Sequence, residues 1–122
     1  MAEFYPQNDE EIHEKKISKL EKVIEFNSSL EVRSFLRKNP FLVNIIEEAI
    51  EKIKHVFQEE KLKLAVENDP EISTDSRVLF LRIFTKKSPK ETIELLGKLN
   101  EEWWLEAKTK TNQKLIIEEE YE

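Results

Sequence analysis

Val56-Phe57-Gln58-Glu59-Glu60-Lys61-Leu62-Lys63-Leu64-Ala65-Val66-Glu67 is the stretch where the chain changes its hydrophobic period. Upstream of it, Leu42, Ile45, Ile46, Ala49, Ile50, Ile53, Val56 and Phe57 recur at i, i+3, i+4 and i+7, the spacing of one face of a helix. The opposite face carries Glu47, Glu48, Glu51, Lys52 and Lys54, with Glu48 and Lys52 ordered for an i,i+4 pair. From Lys61 onward the period is two, so Leu62, Leu64 and Val66 point to one side of a half-solvated strand. A core helix leading straight into such a strand points to an α+β domain.

Downstream, Val78-Leu79-Phe80-Leu81-Arg82-Ile83-Phe84 is apolar at both parities except for Arg82, as in a strand covered on two sides. The polar loop from Asn68 to Ser76 makes these two strands a hairpin. Ser88-Pro89-Lys90-Glu91 supplies an N-cap, a proline at the first helical position and a glutamate at N3, starting a helix that runs to about Lys108. Lys114-Leu115-Ile116-Ile117-Glu118-Glu119-Glu120-Tyr121 reads as a third strand whose growing acidity guards an edge.

Upstream of Leu42, Ile12, Ile17, Leu20, Val23 and Ile24 mark an amphipathic helix from about Glu10 to Phe26. Ser28 and Glu31 form a capping box for a short helix that ends near Lys38 and buries Val32, Phe35 and Leu36. Asn39 and Pro40 then serve as N-cap and first residue of the next helix. The predicted order is three N-terminal helices followed by β-β-α-β, with a small three-stranded mixed or antiparallel sheet. A right-handed crossover in the final β-α-β unit places the third strand beside the first, giving the order 2-1-3. Residues 1–9 are expected to be a disordered N-terminus, and residues 10–122 one α+β domain.

Composition narrows the function classes. With 122 residues and 39% hydrophobic residues the chain can bury a modest core, and with no cysteine it has neither disulfides nor thiolate chemistry. A formal net charge of −6 argues against a basic surface for phosphates. No apolar run approaches a membrane span, and Met1 to Pro6 lacks the plan of a signal peptide, so a cytoplasmic location without membrane contact is expected. Low glycine and abundant Lys and Glu resemble a thermophile's composition.

No catalytic, cofactor or metal residues emerge. The segment starting at Asp69 fails as a calcium loop, because Thr74 and Phe80 occupy the positions that need glycine and glutamate. His13 and His55 each lie near a glutamate but form no zinc motif, and both are expected to face solvent. One basic group falls at Lys86, Lys87 and Lys90, another at Arg33, Arg37 and Lys38. The acidic face of the third helix opposes its use as a DNA-reading element.

The remaining question lies at Glu101-Glu102-Trp103-Trp104-Leu105, which holds the only two tryptophans. Neighbours on an α-helix point about 100° apart. Trp103 falls in the middle of the stripe formed by Leu96, Leu99 and Ala107, so it is the core anchor. Trp104 falls at the stripe's edge, in line with Asn100 and with Gly97, the only glycine. Gly97 is expected either to admit a neighbouring backbone or to leave a slot beside an aromatic wall. Leu105 lies opposite the stripe. The candidate partner-contact residues are therefore Trp104, Leu105, Gly97 and Asn100.

Four segments taken together resemble a family of small, functionally unassigned bacterial and archaeal proteins: Phe35 to Pro40, Leu64 to Glu71, Ser88 to Leu96, and Glu101 to Leu105. The similarity spans roughly residues 35–121, with the Glu-Glu-Trp-Trp-Leu block its most distinctive part. The resemblance implies no catalytic or ligand residues, but it implies a companion gene product in the manner of toxin–antitoxin pairs. The expected function is a protein-binding module, antitoxin-like or an oligomeric scaffold, whose partner is another protein or a further copy of the chain. An enzyme acting on nucleic acid is the alternative, and a helix-turn-helix regulator the third.

Overall fold

The computed structural model describes residues 9–68 and 77–122. The readings of a disordered N-terminus and of a polar or calcium-like loop at 69–76 lie outside these residues, although Asp9 already opens the first helix. The elements are α1 (Asp9–Val23), β1 (Glu25–Phe26), α2 (Ser29–Lys38), α3 (Phe41–Phe57), β2 (Lys61–Asn68), β3 (Arg77–Thr85), α4 (Pro89–Leu99) and β4 (Leu115–Tyr121). Between α4 and β4 lie a π-helical turn, Asn100–Trp104, a last α-helical turn, Leu105–Ala107, and a 3-10 turn, Lys108–Lys110.

The α+β class and the change of period between α3 and β2 are as the sequence indicates. Leu42, Ile46, Ala49, Ile50, Ile53, Val56 and Phe57 are buried on one face of α3, and Val32, Phe35 and Leu36 on α2. The hairpin pairs Leu64 with Leu81 and Lys61 with Phe84, so β2 and β3 are antiparallel over their full described length.

The strand order differs from the expected 2-1-3. Among the described residues the sheet has four strands in the order β1-β2-β3-β4, and β4 runs parallel to β3 rather than beside β2. The reason lies in β3 itself. Val78, Leu79, Phe80, Leu81 and Ile83 are all buried, and a strand that buries both faces belongs in the interior of a sheet. The order 2-1-3 would have left it at an edge. The added strand, β1, has two residues and pairs parallel to β2, with Phe26 opposite Leu64.

Local capping also departs from expectation in two places. Ser28 adopts a left-handed backbone and makes no side-chain cap, so the capping box with Glu31 does not form. Ser29 instead donates to Glu21 and ties α2 to α1. Asn39 closes α2 rather than opening α3, its amide donating to the Phe35 carbonyl at 2.9 Å. The Ser88 cap does form, with its hydroxyl accepting from the Glu91 amide at 3.1 Å.

Register divides the sheet into two unlike faces. Leu62, Leu64, Leu79, Leu81, Ile83 and Leu115 join the helices in one hydrophobic cluster. Across the other face runs the row Glu25, Lys63, Arg82 and Glu118, one residue from each strand. Arg82 takes a bidentate pair of bonds to Glu67 at 2.7 and 2.8 Å and a further bond to Glu118 at 2.7 Å. Its guanidinium also lies 4.8 Å from the centre of the Phe80 ring. Lys63 bonds Glu25 at 3.1 Å and lies 5.3 Å from the Phe84 ring.

These pairs give the fold an acid-sensitive seam. Hydrogen bonds from Arg82 hold the Glu67 carboxyl below the usual glutamate range, and those from Arg37 and Ser29 do the same for Glu14 and Glu21. A carboxyl that binds protons less readily when folded stabilises the fold above its unfolded pKa, and that stabilisation is lost as pH falls through the folded value. Stability should therefore be flat from neutrality to about pH 4.5 and fall below it. Urea midpoints across this range would check it, and Arg82→Met should show a shallower acid decline than the parent chain.

Candidate functional site

The tryptophan block is built by a change in helix type. The Leu105 amide donates to the Asn100 carbonyl, five residues back, so the backbone from Asn100 to Trp104 makes one wide π turn. In an α-helix the positions i+4 and i+5 after Leu99 diverge. In the wider turn both stay over the core, and Trp103 and Trp104 are 9% and 7% exposed. Their ring centroids lie 5.4 Å apart at a tilt of 37°. The Trp103 indole donates to Glu48 of α3 at 2.9 Å, so the carboxylate expected to pair with Lys52 anchors the turn instead.

This corrects the division of roles read from the sequence. Trp103 is a core anchor as expected, but Trp104 is no less buried and does not stand at an edge above Gly97. Gly97 is exposed on α4, and a Cβ built there would meet nothing within 4 Å among the described residues, so it admits no neighbouring backbone of theirs. Asn100 is half-buried and its carbonyl closes the π turn. Leu105 is 63% exposed.

Trp104 and Leu105 do meet in one place. They line a groove of about 900 Å³ together with Lys108, Thr109, Thr111 to Gln113, and Leu115 to Ile117. Gly97 and Asn100 are not part of it. The helix end forms one wall and the start of β4 the other. The connecting turn passes through Asn112 and Gln113, both with positive φ, where an L-residue costs roughly 1–2 kcal/mol. Thr111 is fully buried and its hydroxyl donates to the Lys108 carbonyl at 2.8 Å, closing the preceding turn.

The far wall of the groove is a sheet edge. Among the described residues β4 pairs with β3 alone, and that pairing fixes which backbone groups are used. Leu79 donates to the Lys114 carbonyl and Glu122 donates to the Thr85 carbonyl. Even-numbered residues of β4 thus turn their amides and carbonyls toward β3. By alternation, Leu115, Ile117, Glu119 and Tyr121 turn theirs outward. The acidic stretch that the sequence read as edge protection does lie on an edge strand.

Sequence reasoning found the helix side of this groove and missed the strand side. Thr109 to Gln113 is polar throughout and carries no apolar period. Nothing in it signals that it folds back to set β4 beside the helix end.

The other candidates are engaged within the fold. Arg33 and Arg37, one of the two basic groups, bond to Glu14 and Glu21 of α1. Lys87 of the other lies 3.7 Å from Glu60. His55 is exposed, whereas His13 is half-buried and its ring nitrogen donates to the Leu36 carbonyl at 2.9 Å, which holds α1 to the end of α2. No helix among the described residues is long and apolar enough to cross a membrane. No family model matches the chain, and no curated protein or solved structure matches it either.

Proposed function

We propose that the chain is a protein-binding module and that its contact is the groove between the helix end and β4. One observation carries this reading: an exposed apolar side chain, Leu105, shares the groove with a strand edge whose outward backbone groups pair with no strand among the described residues. An extended segment laid in the groove would gain main-chain hydrogen bonds from Leu115, Ile117 and Glu119 and apolar cover from Leu105 and Ile117. Lys108, Thr109 and Asn112 supply a polar rim that favours orientation over bulk affinity. Such a site suits an antitoxin-like neutraliser as well as a scaffold, since both hold another chain without transforming it.

Leu105→Asp tests this directly, because the residue is exposed and the change should leave folding nearly untouched. Complexes captured from native lysate by the parent chain should weaken at least about tenfold in the variant. Partners held with equal strength by both chains would place the contact elsewhere.

A further inference from the structure

We infer that the occupant of the groove is a second copy of this chain, whose β4 pairs antiparallel with the edge of β4 that no described strand covers, joining the two sheets into one. The inference rests on the groove reading above and adds the identity of the partner.

Charge along β4 is complementary to its own reverse. β4 is preceded by Lys114 and carries Glu118, Glu119 and Glu120 just before its last residue, Tyr121. A parallel copy would set each carboxylate beside its own counterpart. An antiparallel copy with its two-fold axis at Ile117 sets Lys114 opposite Glu120 of the second copy, Leu115 opposite Glu119 and Ile116 opposite Glu118. No carboxylate then faces another, and the Lys114–Glu120 pair forms twice by symmetry. Lys114 is half-buried and Glu120 exposed, and neither takes part in an ion pair among the described residues. Glu118 stays with Arg82. The acidic end therefore guards the edge against most pairings and permits one.

Backbone parity selects the same axis. Ile117 is among the residues whose amide and carbonyl turn outward, so an axis at Ile117 aligns outward groups with outward groups. Leu115, Ile117 and Glu119 then exchange bonds with Glu119, Ile117 and Leu115 of the second copy, ~6 in all. An axis shifted by one residue would instead place Ile116, whose groups are spent on β3, at the centre.

The same register covers exposed apolar groups. Tyr121 is 44% exposed and shares its face of the sheet with Leu115 and Ile117, the helix-covered side. In this register it comes opposite Gln113 of the other copy. Its ring enters the groove beside Leu105 and Lys108. Leu105 and Tyr121, two exposed large apolar side chains of the C-terminal part, are covered in one step.

Sedimentation equilibrium of the full chain, from about 1 μM to 1 mM, reads the association. The parent chain should be a dimer. Of the backbone groups, Ile117→Pro removes only an outward amide, so the β3 hydrogen bonds survive; because the lost side chain packs on the core, the variant is read only where its circular dichroism matches the parent's, and it should then be monomeric. Lys114→Glu and Glu120→Lys should each weaken the dimer at least about tenfold, and the double swap should restore it to within about threefold. That restoration keeps the test decisive even if Ile117→Pro fails to fold. A parent chain that is monomeric at 1 mM, or a dimer indifferent to both Ile117→Pro and the charge swaps, overturns the proposal. If that monomer still captures a different protein and Leu105→Asp loses it, the second copy is wrong while the groove reading stands. A Leu105→Asp chain that keeps its dimer and every captured partner overturns both.

Discussion

Trp103→Ala is expected to lower the free energy of unfolding by about 3–5 kcal/mol, measured as a shift of the urea midpoint at constant slope. The ring is almost wholly buried, contacts Trp104, and donates to Glu48 across the interface between the π turn and α3. Removing it opens a large cavity beneath the turn and also frees Trp104 from its neighbour. Because domains of this size are stable by about 5–15 kcal/mol, the variant should be close to its folding threshold. Trp103→Phe separates the two contributions. It keeps most of the apolar contact and loses the indole bond, and since Glu48 is exposed it can recover water, so the cost should be about 1 kcal/mol. Equal losses for the two variants would mean that the bond to Glu48, not packing, holds the turn.

Leu81→Ala and Phe80→Ala form the second test, and the expectation is that adjacent residues of β3 cost similar amounts, about 2–5 kcal/mol each. Leu81 is fully buried in the helix-packed cluster. Phe80 points to the opposite face, is 9% exposed, and carries the Arg82 guanidinium on its ring. In a half-solvated edge strand only one of the two would matter. In an interior strand paired with β2 and β4 both should. A Phe80→Ala variant within 0.5 kcal/mol of the parent, roughly the range of surface substitutions, would contradict the burial of that face.

What could be read from the sequence was carried by dense periodic signals. The α3 stripe from Leu42 to Phe57 and the alternation from Leu62 to Val66 each offer several apolar residues that agree on one phase, and both elements form. Weaker signals failed where tertiary contacts decide. Glu25 and Phe26 are too few to show any period, and they become strand only because Leu64 offers a partner. Ser28 fits a capping box by composition, yet its left-handed backbone aims the hydroxyl elsewhere. The order 2-1-3 came from the handedness of a crossover, which ranks topologies but does not weigh burial. The two-sided apolarity of Val78 to Phe84, visible in the same sequence, favoured an interior place for that strand.

The candidate site was half legible for a similar reason. Trp104 and Leu105 stood out because large apolar side chains flanked a helical stripe, and both do line the groove. Gly97 and Asn100 were added by assuming an unbroken α-helix of 100° per residue. One extra residue in the turn rotates everything after Asn100, so the apparent alignment of Trp104 with Gly97 is lost. A π turn has no composition of its own that a periodic reading could detect. The strand side of the groove was hidden because it depends on where β4 docks.

The π turn also gives the molecule an optical address. Its only two indoles sit in one turn, close enough and tilted enough for their electronic transitions to couple. At the long-wavelength end of the near-ultraviolet, where the two tyrosines no longer absorb, the dichroism reports the setting of those two rings. Opening of this corner, while the sheet stays intact, would thus erase one spectral band and leave the backbone spectrum in place. The helix end that forms one wall of the groove can be watched separately from the fold that holds it.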